Sequence, residues 1–234
     1  MAASGTSRGR LSFLVSSGPT RERIDDVRFI SNRSTGRMGH AVAEAARVAG
    51  CDVVLVSGPV SLSPPDGVRL VSVESSAEMS REIRARSDSS DVVVMAAAVS
   101  DFRPGKPVSG KIKKGGLCSL VLELERTEDI LAALGKEKGG SARPFLVGFA
   151  AETSDLEANA LEKLRRKNLD MIVANDVSLF DRGFGSDSNA AIVLHSSGEK
   201  TEIPLVSKSE FAERLVGMIL ERLERTATGV ESMG

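Results

Sequence analysis

The stretch Ile24-Asp25-Asp26-Val27-Arg28-Phe29-Ile30-Ser31-Asn32-Arg33-Ser34-Thr35-Gly36-Arg37-Met38-Gly39 joins a first apolar run at 11–16 to an Ala-rich run at 37–48 that stops at Gly50. A strand followed by a helix is the opening unit of an open α/β sheet, and such sheets bind ligands at strand-to-helix junctions. With Gly18-Pro19-Thr20 included, the connection takes about twenty residues where two to six are usual. Guanidinium groups, a carboxamide, hydroxyls and backbone N–H groups converge there on a helix N-terminus, which suits an anion. The structural alternative is a long loop with Ser34 or Thr35 as an ordinary N-cap.

Outward from this junction the alternation repeats. Strands are predicted at 52–57, 68–73, 91–97, 119–124, 144–150 and 171–174, and helices at 77–86, 128–135 and 155–167. The Val-Val-Val-Met-Ala-Ala run within 91–97 suits burial on both faces. The expected fold is therefore α/β, a Rossmann-like doubly wound, mostly parallel sheet. After Asn175-Asp176 the pattern changes: 182–189 is rich in Gly, Ser and Asp, and 190–195, the turn Ser197-Gly198 and 200–204 read as an appended C-terminal β-hairpin. An amphipathic helix at 208–223 carries Phe211, Leu215, Met218, Ile219 and Leu223 on one face. One domain at 11–224 is expected, between a disordered leader at 1–10 and a disordered tail at 225–234.

Composition removes several function classes. The 234 residues carry 31 basic and 32 acidic side chains, a net charge of −1, with only 3% aromatics, so neither a field nor a stacking surface for nucleic acid is present. Cys51 and Cys118 stand far apart without partner motifs, which argues against a disulfide framework or zinc site and fits a reducing cytoplasm. No apolar run is long enough for a membrane span, and residues 1–10 lack a signal h-region. The absence of Tyr excludes a Tyr-x-x-x-Lys dehydrogenase, and no Gly-x-Gly-x-x-Gly follows the first strand. His40 and His195 are the only histidines and form no ligand-spaced cluster, so zinc, HxGH and triad chemistry lack support; His40 reads as a surface or capping residue. The run from Gly105 to Lys111 matches P-loop spacing, but Ile112 replaces the hydroxyl residue, Pro107 removes an amide donor and Gly115-Gly116 stops a following helix.

Two cationic groups remain. Lys111-Ile112-Lys113-Lys114 follows the polar switch Ser100-Asp101-Phe102-Arg103-Pro104 near a strand's carboxyl end, where a polyphosphate or simply water would suit it. Lys163 and Lys167 are spaced by four on one helix face and could neutralise phosphates together, although Glu162 and Arg166 share that spacing as an ordinary ion pair.

Five motifs in order carry a family resemblance: Gly18-Pro19-Thr20-x-Glu22-x-Ile24-Asp25-x-Val27-Arg28-Phe29-Ile30-Ser31-Asn32-x-Ser34-x-Gly36-x-Met38-Gly39; Ala96-Ala97-Ala98-Val99-x-Asp101; Lys111-Ile112-Lys113-Lys114; Val147-Gly148-Phe149-Ala150-Ala151-Glu152-Thr153; and Lys167-Asn168-Leu169-Asp170-x-Ile172-x-Ala174-Asn175-Asp176. Over about 11–223 the chain resembles the bacterial phosphopantothenoylcysteine synthetases, the phosphopantothenate-cysteine ligases of coenzyme A biosynthesis. The resemblance implies activation of the 4'-phosphopantothenate carboxylate by CTP as an acyl-cytidylate, with magnesium accompanying the triphosphate, and displacement of CMP by cysteine. It implies catalytic roles for Asn32 and Lys111, substrate contacts from Arg28, Asn32, Ser34 and Gly36, and a nucleotide site of Ala96, Ala97, Asp101, Lys111, Glu128, Asp129, Ile130, Leu131, Phe149, Lys163 and Lys167. Metal ligands are not indicated.

Departures from the family pattern are Thr35 and Arg37 for the usual Ser and Lys, and Glu128 for a common Pro, which adds negative charge near the nucleotide. Family members are often fused behind a flavin-dependent decarboxylase half that this chain does not match, so no flavin is expected and a separate phosphopantothenoylcysteine decarboxylase is the expected partner. A homodimer is also implied, with segments around 175–189 supporting the neighbour's site. The competing classes are a non-catalytic nucleotide-binding partner of a decarboxylase complex and, with less support, a Rossmann-type oxidoreductase.

Overall fold

The alternating side chains of the first strand, β1 (Ser12–Ser17), serve two separate cores: Phe13 and Val15 enter one and Leu14 the other. A strand buried on both faces needs helices above and below it. The computed structural model describes residues 10–113, 115, 119–152, 155–176 and 187–228. In chain order β1 is followed by β2 (Arg21–Arg23), β3 (Phe29–Ser31), α1 (Arg37–Val48), β4 (Asp52–Ser57), β5 (Arg69–Ser72), α2 (Ser76–Ser87), β6 (Val92–Met95), β7 (Phe102–Pro104), β8 (Leu124–Arg126), α3 (Ile130–Lys138), β9 (Phe145–Glu152), α4 (Leu156–Arg166), β10 (Met171–Asp176), β11 (Ser188–His195), β12 (Lys200–Ser207) and α5 (Lys208–Thr228).

The central sheet has the order β12-β11-β10-β9-β6-β1-β4-β5, with β5, β4, β1, β6, β9 and β10 parallel and the β11–β12 hairpin antiparallel at one edge. The chain builds outward from β1 through β4 to β5, then returns to the other side of β1 to place β6, β9 and β10. That reversal between β1 and β6 is the topological switch point of a doubly wound sheet, and a crevice opens there beyond the strands' carboxyl ends.

On one face α1 and α5 cover a core of Phe13, Val15, Val42, Phe211, Leu215 and Ile219; on the other, α2, α3 and α4 enclose Leu14, Met79, Ile83, Leu134 and Leu164. The apolar stripe expected at 208–223 accounts for the docking of α5, which continues past the expected end to Thr228 and so takes up the first residues of the expected tail. The leader at 1–9 and the remainder of the tail lie outside the described residues.

Two expectations are corrected. Residues 119–123 form no strand: Leu120, Val121 and Leu122 are exposed, and the strand is β8, paired with β7 in a small antiparallel ribbon. The long connection after β1 is not irregular throughout, because β2 and β3 pair in the register Arg21 with Ser31 and Arg23 with Phe29. Arg21 lies over the Phe29 ring, 4.5 Å from its centroid, and buried Glu22 accepts the Ser76 amide at 2.8 Å, fastening this ribbon to α2.

Candidate functional site

The crevice at the switch point holds a cavity of about 440 Å³. One wall is the end of the β1–α1 connection with the start of α1; the other is built from residues after β6, the start of α3, and Phe149 of β9.

The first wall rests on glycine. Gly36 caps α1 at φ 75°, a conformation that disfavours any Cβ, and no side chain caps the helix, so its first amides are open to a ligand. A Cβ at Gly39 would lie 2.6 Å from the Ser17 Cβ, so only glycine lets α1 approach β1 this closely. Beneath the turn, Ser17 Oγ donates to the Gly36 carbonyl at 2.9 Å, and His40 Nδ1 lies 3.0 Å from Ser17 Oγ and 3.1 Å from the same carbonyl. Burial lowers the His40 pKa against the opposing effect of the Gly36 carbonyl. His40 is therefore a buried tether, not the surface or capping residue expected: the fourth residue of α1 turns toward the sheet.

Asn32, Ser34 and Gly36 all line the cavity. Asn32 Nδ2 donates to the carbonyls of Ala98 and Val99, both at 3.1 Å, which ties the β1 loop to the β6 loop and leaves Oδ1 without a partner among the described residues. Pro19 and Ala98 form a bridge between the same two loops, and Thr20 Oγ1 accepts the Ser100 amide at 3.0 Å.

Arg28 is placed elsewhere. It pairs at 2.7 Å with Asp25, whose carboxylate is almost fully buried and also accepts the amides of Val27, Arg28 and Ile112. Burial raises the Asp25 pKa, but these three amides and the Arg28 charge outweigh it and hold the group below its ordinary 3.8. Arg28 is thus engaged by the protein and is not among the residues lining this cavity. The same carboxylate fixes the 110–113 segment, since Arg28 Nη1 also reaches the Ile112 carbonyl and Asp26 accepts the Gly110 amide at 2.7 Å. Lys111 is exposed on that anchored segment and is not among the lining residues; Lys114 lies outside the described residues.

On the second wall, Ala96, Ala97, Asp101, Glu128, Asp129, Ile130, Leu131 and Phe149 all line the cavity. Asp129 caps α3 through the Ala132 amide at 3.1 Å and pairs with Lys167 at 2.7 Å. Burial acts to raise its pKa, yet the bonds from Lys167 and Ala132 prevail and the group stays low. Lys167 lines the cavity and Lys163 does not, although the Lys167 amide still donates to the Lys163 carbonyl at 3.0 Å and the helical spacing between them is kept. Glu128 is less disruptive than its charge implies: Ser80 and Arg84 of α2 both bond its carboxylate.

Lining residues that were not assigned to the site from sequence include Arg37, Asn175, Asn189 and Lys208. Lys208 opens a helix some 170 residues downstream of Arg37, and only the tertiary packing of α5 on α1 brings them together. Among the described residues no three His, Cys, Asp or Glu side chains gather to hold a metal, and no helix is long and apolar enough to cross a membrane.

An open α/β sheet with a polar cleft at its switch point, walled by a bare helix N-terminus and a capped carboxylate-lysine pair, is an arrangement suited to anionic ligands. The chain belongs to the DNA/pantothenate metabolism flavoprotein C-terminal domain family, whose model matches residues 9–223. It is 45% identical over 216 residues to the coenzyme A biosynthesis bifunctional protein CoaBC of Bacillus subtilis (strain 168), covering 91% of this chain and 52% of the relative. The protein of the same name from Escherichia coli (strain K12) is 41% identical over 216 residues, covering 92% and 52%. This chain thus spans about half the length of these curated relatives. A crystal structure of the C-terminal domain of a CoaBC protein, 41% identical, superposes with a TM-score of 0.77 over 92% of this chain and 96% of that one, which agrees with the Rossmann-like fold expected.

Proposed function

We propose that this chain is a phosphopantothenate-cysteine ligase. The observation that carries this reading is the convergence of Asn32, the uncapped α1 N-terminus, Asp101, Phe149 and the Asp129–Lys167 pair on one cavity at the switch point. In the reaction, a carboxylate oxygen of 4'-phosphopantothenate attacks the α-phosphorus of CTP and pyrophosphate leaves. The amine of cysteine then attacks the acyl carbon, CMP departs with the bonding electron pair, and a proton is lost from nitrogen to give 4'-phosphopantothenoylcysteine.

Asn32 is suited to the acyl group, with its Nδ2 held by two carbonyls and its Oδ1 left for a substrate donor. Asp101 and the chain at Ala96 and Ala97 would read the nucleotide, Phe149 would pack on base or ribose, and Lys167 would meet the outer phosphates. Lys111 is proposed to stabilise the α-phosphate, which requires the 110–113 segment to approach the bound nucleotide. Magnesium would enter with CTP, held chiefly by the triphosphate oxygens, with Asp101 and Asp129 as the nearby carboxylates.

The homodimer belongs to the same reading. Val27, Phe29, Phe102 and Val121 lie exposed on the β2–β3 and β7–β8 ribbons and the segment preceding β8, apolar surface of the kind that pairs with a second copy. Cytoplasmic residence and cooperation with a separate decarboxylase complete it. The test is pyrophosphate release by the purified protein with magnesium, 4'-phosphopantothenate and CTP or ATP, with and without cysteine. Cysteine-dependent product with CTP supports the ligase; no activation with either nucleotide contradicts it and favours the non-catalytic partner.

A further inference from the structure

Outside the switch-point cleft, a recess of about 690 Å³ lies between α2 and the β7–β8 ribbon. Four arginines line it, Arg81 and Arg84 from α2, Arg103 from β7 and Arg126 from β8, against a single carboxylate, Glu128. Their compensation is uneven. Arg84 pairs with Glu128 and Glu137, Arg81 with Glu82 at 3.5 Å and Arg103 with Glu125 at 3.8 Å, while the Arg126 side chain has no hydrogen bond or ion pair among the described residues. The pairs of Arg81 and Arg103 are long and their guanidinium side chains more than half exposed, so they hold weakly. Guanidinium forks present paired N–H donors that match phosphate oxygens, and several around one concavity favour an anion of more than one charge.

A second observation joins this recess to the cleft. Thr127 and Glu128 line both cavities. Thr127 is fixed to the loop that carries Asp101: its amide donates to the Asp101 carbonyl at 2.9 Å and its Oγ1 to the Ser100 carbonyl at 2.6 Å. Glu128 is held from the recess side, accepting from Ser80 Oγ at 2.5 Å and Arg84 Nη1 at 3.2 Å. Ser80 and Arg84 stand four residues apart on one face of α2, and neither lines the cleft. An anion that takes Arg84 removes one of these two bonds and sets a like charge beside Glu128. The other cavity open to that carboxylate is the cleft.

We propose that the recess is a second anion site, taking a small molecule with two or more phosphate groups, and that its occupation turns the Glu128 charge on the cleft and weakens nucleotide binding there. The site stands on its own residues; its coupling to the nucleotide rests on the ligase reading. Nucleotide in the cleft must then weaken the anion by the same factor.

The test is calorimetric titration of the full chain with fructose bisphosphate as the probe, with a polyglutamate peptide, and with magnesium-CTP in the absence and presence of saturating bisphosphate. R126Q weakens the bisphosphate by about tenfold, the scale of one charge-assisted contact, and leaves CTP affinity within about twofold. K167Q, in the cleft, leaves the bisphosphate within about twofold. Saturating bisphosphate raises the CTP Kd by about fivefold in the wild type, and E128Q abolishes that effect while tightening the bisphosphate. A bisphosphate lost in K167Q and kept in R126Q sits in the cleft and overturns the site. Polyglutamate bound through Arg126, with no binding of the bisphosphate, overturns it in favour of an acidic protein segment. Bisphosphate that binds through Arg126 and leaves CTP affinity unchanged overturns the coupling. If Arg126-dependent bisphosphate binding is present but neither CTP binding nor product is found, the ligase reading fails and the recess stands; if product forms and the bisphosphate does not bind, the recess fails and the ligase stands.

Discussion

The two halves of the connection between β1 and α1 are both polar and both carry arginine, yet they do opposite work. Within residues 24–31 the buried charge meets partners of the protein: Asp25 sits on three amides, Arg28 neutralises it, and Phe29 lies under Arg21. Residues 32–39 face the cavity, with Asn32, Ser34 and the uncapped start of α1 along its rim. The difference lies in what each half faces: the buried carboxylate of the first meets its partners within the protein, and the second presents its polar groups to the cavity. The first half is a brace and the second a binding surface.

The largest effect expected from this contrast is on the rim. N32A should cut product formation by about a hundredfold, the scale of one lost transition-state contact, while Tm changes little because the residue is exposed; steady-state kinetics with parallel melting curves would check it, and near-normal turnover would place Asn32 with the brace. Next, K167Q should weaken CTP binding by about tenfold, since the ammonium both meets the nucleotide and holds the Asp129 cap.

A smaller effect, and one on stability instead of turnover, is expected in the brace. The Asp25 pKa is depressed in the folded state, so its stabilisation is present above the ordinary carboxyl value of 3.8 and is lost as pH falls through the lower, folded value. D25N should lower Tm at neutral pH and flatten the acid-side fall in stability, measurable by denaturant unfolding across pH 2–6 (about the range where carboxyls titrate). An unchanged acid limb would mean that Asp25 is not the brace. The smallest effect is expected for K163Q, which should leave CTP affinity within about twofold, because Lys163 lies outside the cavity lining.

Much of this architecture was legible beforehand because it depends on local periodicity. The β–α alternation, the closing helix and the hairpin at the sheet edge follow from apolar spacing, and the boundaries moved mainly where strands lengthened against partners, as β10 does beside β9. The short strand at 119–124 failed because an apolar run with no sheet partner has nothing to bury against. At the site, motif order pointed to Asn32, Asp101 and Phe149, which line the cavity. It did not separate Arg28 from that surface, since the buried carboxylate that captures it looks like any Asp in sequence. Lys208 and Asn189 escaped for a different reason: they reach the cavity only through the packing of α5 and β11, which no spacing along the chain encodes.

The central claim, activation of a carboxylate by the α-phosphate of CTP, is tested most directly by following oxygen. With 4'-phosphopantothenate labelled in its carboxylate with heavy oxygen, the account predicts one labelled oxygen in the CMP released and none in pyrophosphate. Label in inorganic phosphate, with CDP as the nucleotide product, would show attack at the terminal phosphate and contradict it.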